Sequence, residues 1–224
     1  MEEHIQKEPI EEDILEEKEL WYRGPIRIIL MIFLLLLLVL WYFPKESIKL
    51  DPHPENIPTI EEVLPSNFQL EDITIEINNK DDFYKYIRPY DPTIKQIADK
   101  IATISCDGNQ VCQAKAIYYF VRNNIEYVPD PLRYEYVEDP KETLSTKAAD
   151  CESGTILLAS LLGAIGVDYE LVFIPAHAFL RIKLNNALKK YQIGGWVYLD
   201  WTCSNCEFGE IPLNDKLHIE GPSK

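Results

Sequence analysis

The sequence predicts an α+β domain, in which a buried helix packs on an antiparallel sheet, preceded by a single membrane-spanning helix. Three observations support this. Residues 155–165 are almost entirely apolar or small, as in a helix buried on all sides. Two later runs, at 177–184 and 196–201, alternate in the period of a β-strand. Residues 28–43 form an unbroken apolar run near the N-terminus.

The apolar run near the N-terminus predicts a transmembrane helix over residues 21–43, long enough to cross a hydrocarbon core of about 30 Å. Aromatic residues bracket it at both ends, as they do at membrane interfaces. A cleaved signal peptide is the alternative, but the preceding segment is long and acidic and no small-x-small cleavage site follows. Lys and Arg are more numerous before the span than just after it, which predicts a cytoplasmic N-terminus and an extracytoplasmic C-terminal part.

Composition divides the rest of the chain into an acidic tail at 1–20, a proline-rich linker at 44–65 and a folded domain at 66–224. The density of prolines in the linker disfavours a helix and favours an extended spacer. Within the domain, further elements are predicted from spacing alone. These are a strand at 73–77, helices at 91–104 and 110–124, and a loop at 127–147 that crosses near Cys151.

The charge of the chain excludes one class of partner. The formal net charge is −15, and a surface of this sign repels phosphate backbones, so we expect no nucleic-acid binding. No glycine-rich phosphate loop appears, and the histidines at 4, 53 and 218 form no convincing metal cluster with a carboxylate. The sequence therefore predicts neither a cofactor nor a metal ion.

Cys151 lies at the predicted start of the apolar helix. Unpaired backbone N–H groups and the helix dipole favour negative charge at this position, so we expect a lowered thiol pKa and a reactive thiolate. The alternative is that Cys151 is a small buried hydrophobic residue, as cysteines often are.

The two strand-like runs predict an antiparallel hairpin with its centre near residues 188–189. In that register Leu180 lies opposite Val197 and His177 lies opposite Asp200, which places an imidazole beside a carboxylate. A thiol, an imidazole and a carboxylate are the parts of a cysteine nucleophile system. Taken singly, His177 also fits a structural histidine, and Asp200 fits a residue that ends a strand.

Four short motifs, described below, resemble motifs of the transglutaminase-like superfamily of cysteine acyl-transfer enzymes. The sequence Asp150-Cys151-Glu152-Ser153 and the helix after it resemble the nucleophile helix of that family, and 176–179 resembles its histidine strand. Residues 199–202 resemble its aspartate motif, with Trp201 where a proline commonly follows the aspartate, and 114–127 resembles the preceding helix and extended segment. The resemblance covers residues 91–206 and implies a papain-like α+β core.

The other four cysteines form two close pairs in the sequence, Cys106 with Cys112 and Cys203 with Cys206. Two short-range disulfides would leave Cys151 as the odd, free thiol and would indicate an oxidising compartment. A zinc site built from both pairs is the alternative, although the spacing of the first pair is unusual for zinc.

These observations together predict a membrane-anchored cysteine hydrolase or acyltransferase that acts on peptide or amide bonds of a peptide or protein substrate through a thioester intermediate. Cys151 would be the nucleophile, His177 the general base and acid, and Asp200 the orienting carboxylate, with the backbone N–H of Cys151 as an oxyanion donor. The alternative is a catalytically inactive binding or assembly module at the cell surface that retains the same core. The aromatic setting of Asp200, with Trp196, Tyr198 and Trp201, is the feature that favours it.

Overall fold

The computed structural model describes residues 24–70, 77–131 and 136–220, except the side chains of residues 44–49 and 220. The chain divides after Leu50 into two compact units. The predicted acidic tail at 1–20 lies outside the described residues, and so does nearly all of the strand predicted at 73–77.

The first unit contains helix α1, Pro25–Leu50. Its segment Pro25–Phe43 has a mean hydropathy of 2.8, and its large apolar side chains from Ile28 to Phe43 are exposed. The segment is long and apolar enough to cross a membrane. Both membrane anchors and signal sequences contain helices of this kind.

The second unit contains six α-helices within the described ranges. They are α2 (Ile60–Val63), α3 (Pro92–Ser105), α4 (Gln110–Asn124), α5 (Pro140–Thr146), α6 (Cys151–Ala164) and α7 (Leu213–Glu220), with 3₁₀ turns at Lys80–Tyr86 and Lys189–Tyr191. Helices α3 and α4 confirm the two helices predicted from spacing. Each begins at a side-chain cap, because Asp91 and Asn109 each accept hydrogen bonds from two backbone N–H groups of the first turn.

The structure differs from the predicted proline-rich linker at 44–65. Helix α1 continues to Leu50, and the following residues pack on the domain rather than forming a spacer. Ile60 and Val63 are each only 1% exposed. These two residues are three apart, so a single turn of helix places both on the core side, which the count of prolines does not reveal.

The region predicted as a loop at 127–147 is also more regular than expected. It contains helix α5, whose cap residue Asp139 accepts a hydrogen bond from the N–H of Lys141. Two short strands flank this region, β1 (Glu126–Tyr127) and β2 (Ala148–Ala149), and they pair with each other in parallel. The segment that contains α5 therefore begins and ends at this pair of strands, and β2 contacts α6.

The main sheet has four antiparallel strands in the order β3-β4-β6-β5. Their bounds are β3 Asp168–Ile174, β4 His177–Lys183, β5 Gln192–Ile193 and β6 Trp196–Leu199. Strands β3 and β4 are joined by a tight turn in which Ala176 has a positive φ of 58°. The predicted fold class, a mixed α+β domain with a buried helix on an antiparallel sheet, is confirmed.

Strand β4 pairs with β6 in a register that differs from the predicted one by two residues. Leu180 lies opposite Leu199 and not opposite Val197. The predicted simple hairpin is wrong because the connection contains β5, which forms its own hairpin with β6 through Gly194 and Gly195. Both glycines have a positive φ, which suits a two-residue hairpin loop. Because the difference is an even number of residues, each side chain keeps its predicted face.

Helix α6 lies at the centre of the core. It contacts α3, α4 and α5 on one side and strands β3 and β4 on the other, and every residue in it except Glu152 and Gly163 is buried. Gly166 follows the helix with a φ of 76°, the left-handed conformation in which many helices end. The sheet and the helices thus hold the start of α6, and Cys151 with it, at a fixed place.

Two disulfides close short loops, Cys106–Cys112 and Cys203–Cys206, as the first of the two sequence interpretations predicts. Their Cα–Cα distances are 5.9 Å and 5.4 Å. Cys151 is the free cysteine. The four paired sulfurs have no thiolate to offer a metal ion, so the zinc alternative does not describe this structure.

A buried ion pair fixes the first residue of the second unit. The Nζ of Lys115, on α4, lies 2.5 Å from Oδ1 of Asp51, and the Lys115 side chain is fully buried. Lys190 and Tyr191 also bind the Asp51 carboxylate, at 2.6 Å and 2.7 Å. Burial raises the pKa of Asp51, but these three hydrogen bonds outweigh it and hold the pKa well below its usual range.

Candidate active site

Cys151 is the first residue of α6, as predicted. Asp150 caps the helix, since its Oδ1 accepts a hydrogen bond of 2.8 Å from the N–H of Ser153. The N–H of Cys151 has no acceptor within the helix because of its position in the first turn. The residue is 8% exposed, so its thiol lies just below the surface.

His177 and Asp200 are in direct contact. The Nε2–H of His177 donates to Oδ2 of Asp200 over 3.2 Å. The sequence predicted that Asp200 lies directly opposite His177 in the sheet. In the structure Asp200 lies one residue beyond the end of β6, and its side chain contacts His177 diagonally across the two strands. The hydrogen bond leaves Nδ1 of His177 as the nitrogen with a free lone pair. Chiefly because of this bond to Asp200, the pKa of His177 is raised above its usual value.

Asp200 is only 1% exposed, and its other carboxylate oxygen and its backbone carbonyl are also hydrogen-bonded. Its Oδ1 accepts hydrogen bonds from the backbone N–H and the hydroxyl of Thr202, at 3.0 Å and 2.7 Å. Its backbone carbonyl accepts from the hydroxyl of Tyr118, which also donates to the carbonyl of Cys206. The orientation of the Asp200 carboxylate is therefore determined from several sides.

The start of α6 is linked to His177 and Asp200 through the residue that follows each of them. The backbone N–H of Ala178, directly after His177, points to the Cys151 sulfur and favours its ionised form. The indole N–H of Trp201 donates to the carbonyl of Cys151 over 3.4 Å. The Trp201 ring lies so close to Gly154 that a Cβ there would be 2.1 Å from it. Only glycine leaves room for this packing, which brings the two ends of the site together.

The Cys151 thiol hydrogen is bonded to Glu152 and not to His177. The Sγ–H of Cys151 donates to Oε2 of Glu152 over 2.7 Å. Burial first, and then the Glu152 carboxylate, raises the pKa of the Cys151 thiol. This direction is opposite to the lowered pKa that the sequence predicted. A helix N-terminus contributes roughly 0.3–1 kcal/mol at the surface, which is too little to offset burial and a contacting carboxylate.

Two further titratable groups face the site. Tyr127, on β1, packs edge-on against Trp201, with 6.1 Å between the two ring centroids. Burial raises the pKa of the Tyr127 hydroxyl. Asp215, on α7, places a carboxylate oxygen within 4.8 Å of donor atoms of both His177 and Asp200. The pKa of Asp215 is raised, because the effect of burial is larger than the opposing effect of the neighbouring His177.

A cavity of about 210 Å³ adjoins the start of α6. Two of its wall residues, Asp150 and Ser153, flank Cys151 in the first turn of the helix. The other lining residues are mostly apolar and include Val128, Pro129 and Tyr136, together with the carboxylates of Asp130 and Glu138. The cavity is thus a space beside the first turn of α6.

Sequence reasoning missed Glu152, Tyr118 and Asp215. Glu152 was visible beside Cys151, but adjacent residues on a helix do not ordinarily face each other, so spacing gave no reason to pair them. Tyr118 and Asp215 come from distant elements, α4 and α7, and only the tertiary fold brings them to Asp200. No local pattern in the sequence could have indicated either one.

Comparisons with known proteins agree with this architecture. Residues 95–201 match the model of the transglutaminase-like superfamily, the family that the sequence motifs resemble. The match spans α3 to Trp201 and includes Cys151, His177 and Asp200. A search of curated proteins found no match.

Two solved structures are similar to parts of the chain. One is a candidate protease of Parabacteroides distasonis, with 18% identity and a TM-score of 0.38 over 47% of this chain and 22% of the other. The second is a candidate cysteine protease of Cytophaga hutchinsonii, with 17% identity and a TM-score of 0.41 over 61% of this chain and 45% of the other. The chain spans less than half the length of either structure.

Proposed function

We propose that this chain is a membrane-anchored cysteine hydrolase or acyltransferase that cleaves peptide or amide bonds through a thioester. The observation that carries the proposal is the 3.2 Å hydrogen bond to Asp200 from His177, which begins a strand that contacts the Cys151 helix. Because Asp200 is buried, water does not compete with His177 for its carboxylate. A merely structural histidine does not require a buried carboxylate of its own.

In the proposed reaction, Nδ1 of His177 takes the proton from the Cys151 thiol, and the thiolate attacks the substrate carbonyl carbon. The negative oxygen of the tetrahedral intermediate accepts a hydrogen bond from the backbone N–H of Cys151. Collapse expels the amine, which takes the proton from His177 and leaves a thioester. Water or a second amine then attacks the thioester, gives its proton to His177, and the thiol is restored when that proton returns.

A panel of peptide and amide substrates tests this function with the full chain in detergent. We expect hydrolysis, or transfer to an added amine, with the wild-type protein and a loss of at least 10³-fold in Cys151→Ser, since a hydroxyl is a far weaker nucleophile than a thiol in a site built for sulfur. Mass spectrometry of the trapped protein should show an acyl group on Cys151. Equal behaviour of wild type and Cys151→Ser would favour the inactive binding module instead.

We propose further that α1 is an anchor and that the domain faces an oxidising exterior. The two disulfides support this, since such bonds persist outside the reducing cytosol. The excess of Lys and Arg before the span agrees with a cytoplasmic N-terminus. Alkylation of membrane-extracted protein without prior reduction, read by mass spectrometry, should modify one cysteine, Cys151. Modification of all five would contradict an extracytoplasmic location.

A further inference from the structure

The contact between Cys151 and Glu152 has no role in the proposed reaction. Glu152 is the one partly exposed residue in the first turn of α6, between the buried Cys151 and Ser153. Its carboxylate nevertheless turns back to accept the thiol hydrogen, 2.7 Å from the sulfur. A solvated carboxylate gains little from a weak S–H donor, so the contact has its main effect on the thiol.

The groups around the thiol act in opposite directions. On its own helix, Glu152 and the capping Asp150 both oppose ionisation of the sulfur, and so does burial. From β4, the N–H of Ala178 favours ionisation. Tyr127 approaches from β1, and beyond Ala178 lies the bonded pair of His177 and Asp200, with Asp215 beside it. Of the groups that oppose ionisation, Glu152 alone touches the sulfur and has a partly exposed side chain that can turn away.

We propose that Glu152 holds the Cys151 thiol in its protonated, unreactive form until a bound substrate draws the carboxylate away. This inference rests on the proposed function, and it makes Glu152 a positioning residue. The peptide or amine N–H groups of the substrate replace the thiol as hydrogen-bond donors to the Glu152 carboxylate, because an N–H group is a stronger donor to a carboxylate than an S–H group is. The nucleophile is then released only where an acyl donor is already in place.

The release conserves protons and charge. When Glu152 turns to the substrate, it loses the thiol hydrogen bond but keeps its own negative charge. The S–H bond then breaks and an N–H bond forms at Nδ1 of His177, so the sulfur becomes a thiolate and the imidazole an imidazolium. Asp200 stabilises that imidazolium through Nε2.

The rate of alkylation by iodoacetamide, measured on the full chain in detergent from pH 5 to 10, tests this without any substrate. We expect Glu152→Gln to lower the apparent pKa of the reaction by at least one unit and to speed alkylation about tenfold at pH 7. The matched control is Glu126→Gln, which removes the same charge from an exposed residue of β1. It should leave the profile unchanged. If Glu152→Gln fails to fold, Glu152→Asp, whose carboxylate is one methylene further from the sulfur, should shift the profile in the same direction.

The same shift should appear when Glu152→Gln is combined with His177→Ala, because Glu152 acts on the thiol directly. A profile of the Glu152 variants that coincides with the wild type, or a shift no larger than that of Glu126→Gln, would overturn the role of Glu152. A preserved shift in a protein that hydrolyses no amide would overturn the proposed function and leave the restraint on the thiol standing. The two failures are therefore distinguishable.

Discussion

Replacement of Asp200 by asparagine is expected to lower kcat/KM for amide cleavage by roughly 10³–10⁴-fold while the domain stays folded. The amide has the shape of the carboxylate but not its charge, so it no longer stabilises the imidazolium or holds the Nε2–H tautomer of His177. Because Asp200 raises the pKa of His177, that pKa should fall in the variant. The acidic limb of the pH–rate profile should then move to lower pH.

The control for this experiment is Asp215→Asn, which removes the other carboxylate near His177. Asp215 is not hydrogen-bonded to the imidazole in the way that Asp200 is, so we expect less than a tenfold loss of activity. Comparable losses in both variants would show that the general negative field around His177 matters and that the specific bond to Asp200 does not. Circular dichroism in the near ultraviolet reports whether each variant keeps its tertiary structure.

Replacement of Asp51 by asparagine should reduce the free energy of unfolding of the domain by about 3–5 kcal/mol. The variant leaves the ammonium of Lys115 fully buried without its counter-charge. The pKa of Asp51 is lowered in the folded state, so its stabilising contribution is complete above the unfolded value of about 3.9. It is lost only as the pH falls through the lower folded pKa, and the wild type and the variant should therefore differ most at neutral pH.

Denaturant unfolding of the full chain in detergent, followed by the near-ultraviolet signal, measures this difference. The matched control is Asp99→Asn, which breaks the Lys95–Asp99 pair on α3, where both side chains are about half exposed. We expect about 0.5 kcal/mol or less there, because exposed pairs contribute little. Equal effects at the two sites would mean that water reaches Lys115 and that the pair is not truly buried.

The elements that could be predicted from the sequence are those whose signal is local. The apolar run after Cys151 and the helical spacing at 91–104 and 110–124 are patterns of neighbouring residues, and each helix forms where its pattern indicates. The contact of His177 with Asp200 was also expected. It survived an error of two residues in register because the face of a strand depends only on whether the shift is odd or even.

Elements that depend on tertiary contacts were missed or misread. The linker prediction weighed prolines and overlooked Ile60 and Val63, whose burial requires a core supplied by other parts of the chain. The thiol pKa was predicted from the helix terminus alone, whereas burial and Glu152 decide its direction. Both errors came from reading one segment without the surfaces that pack on it.

The chain that follows Asp200 is a short loop, and loops ordinarily open locally far more readily than the core does. In this domain the carbonyls at both ends of the loop, those of Asp200 and Cys206, accept hydrogen bonds from Tyr118, a fully buried residue of α4. The Cys203–Cys206 disulfide closes the same loop. Detachment of the loop therefore breaks the hydrogen bonds to Tyr118 and leaves a buried hydroxyl without a partner, which costs roughly 1–3 kcal/mol that an unanchored loop does not pay. We therefore expect this loop to open less readily than other surface loops, so that the carboxylate bonded to His177 is held in place.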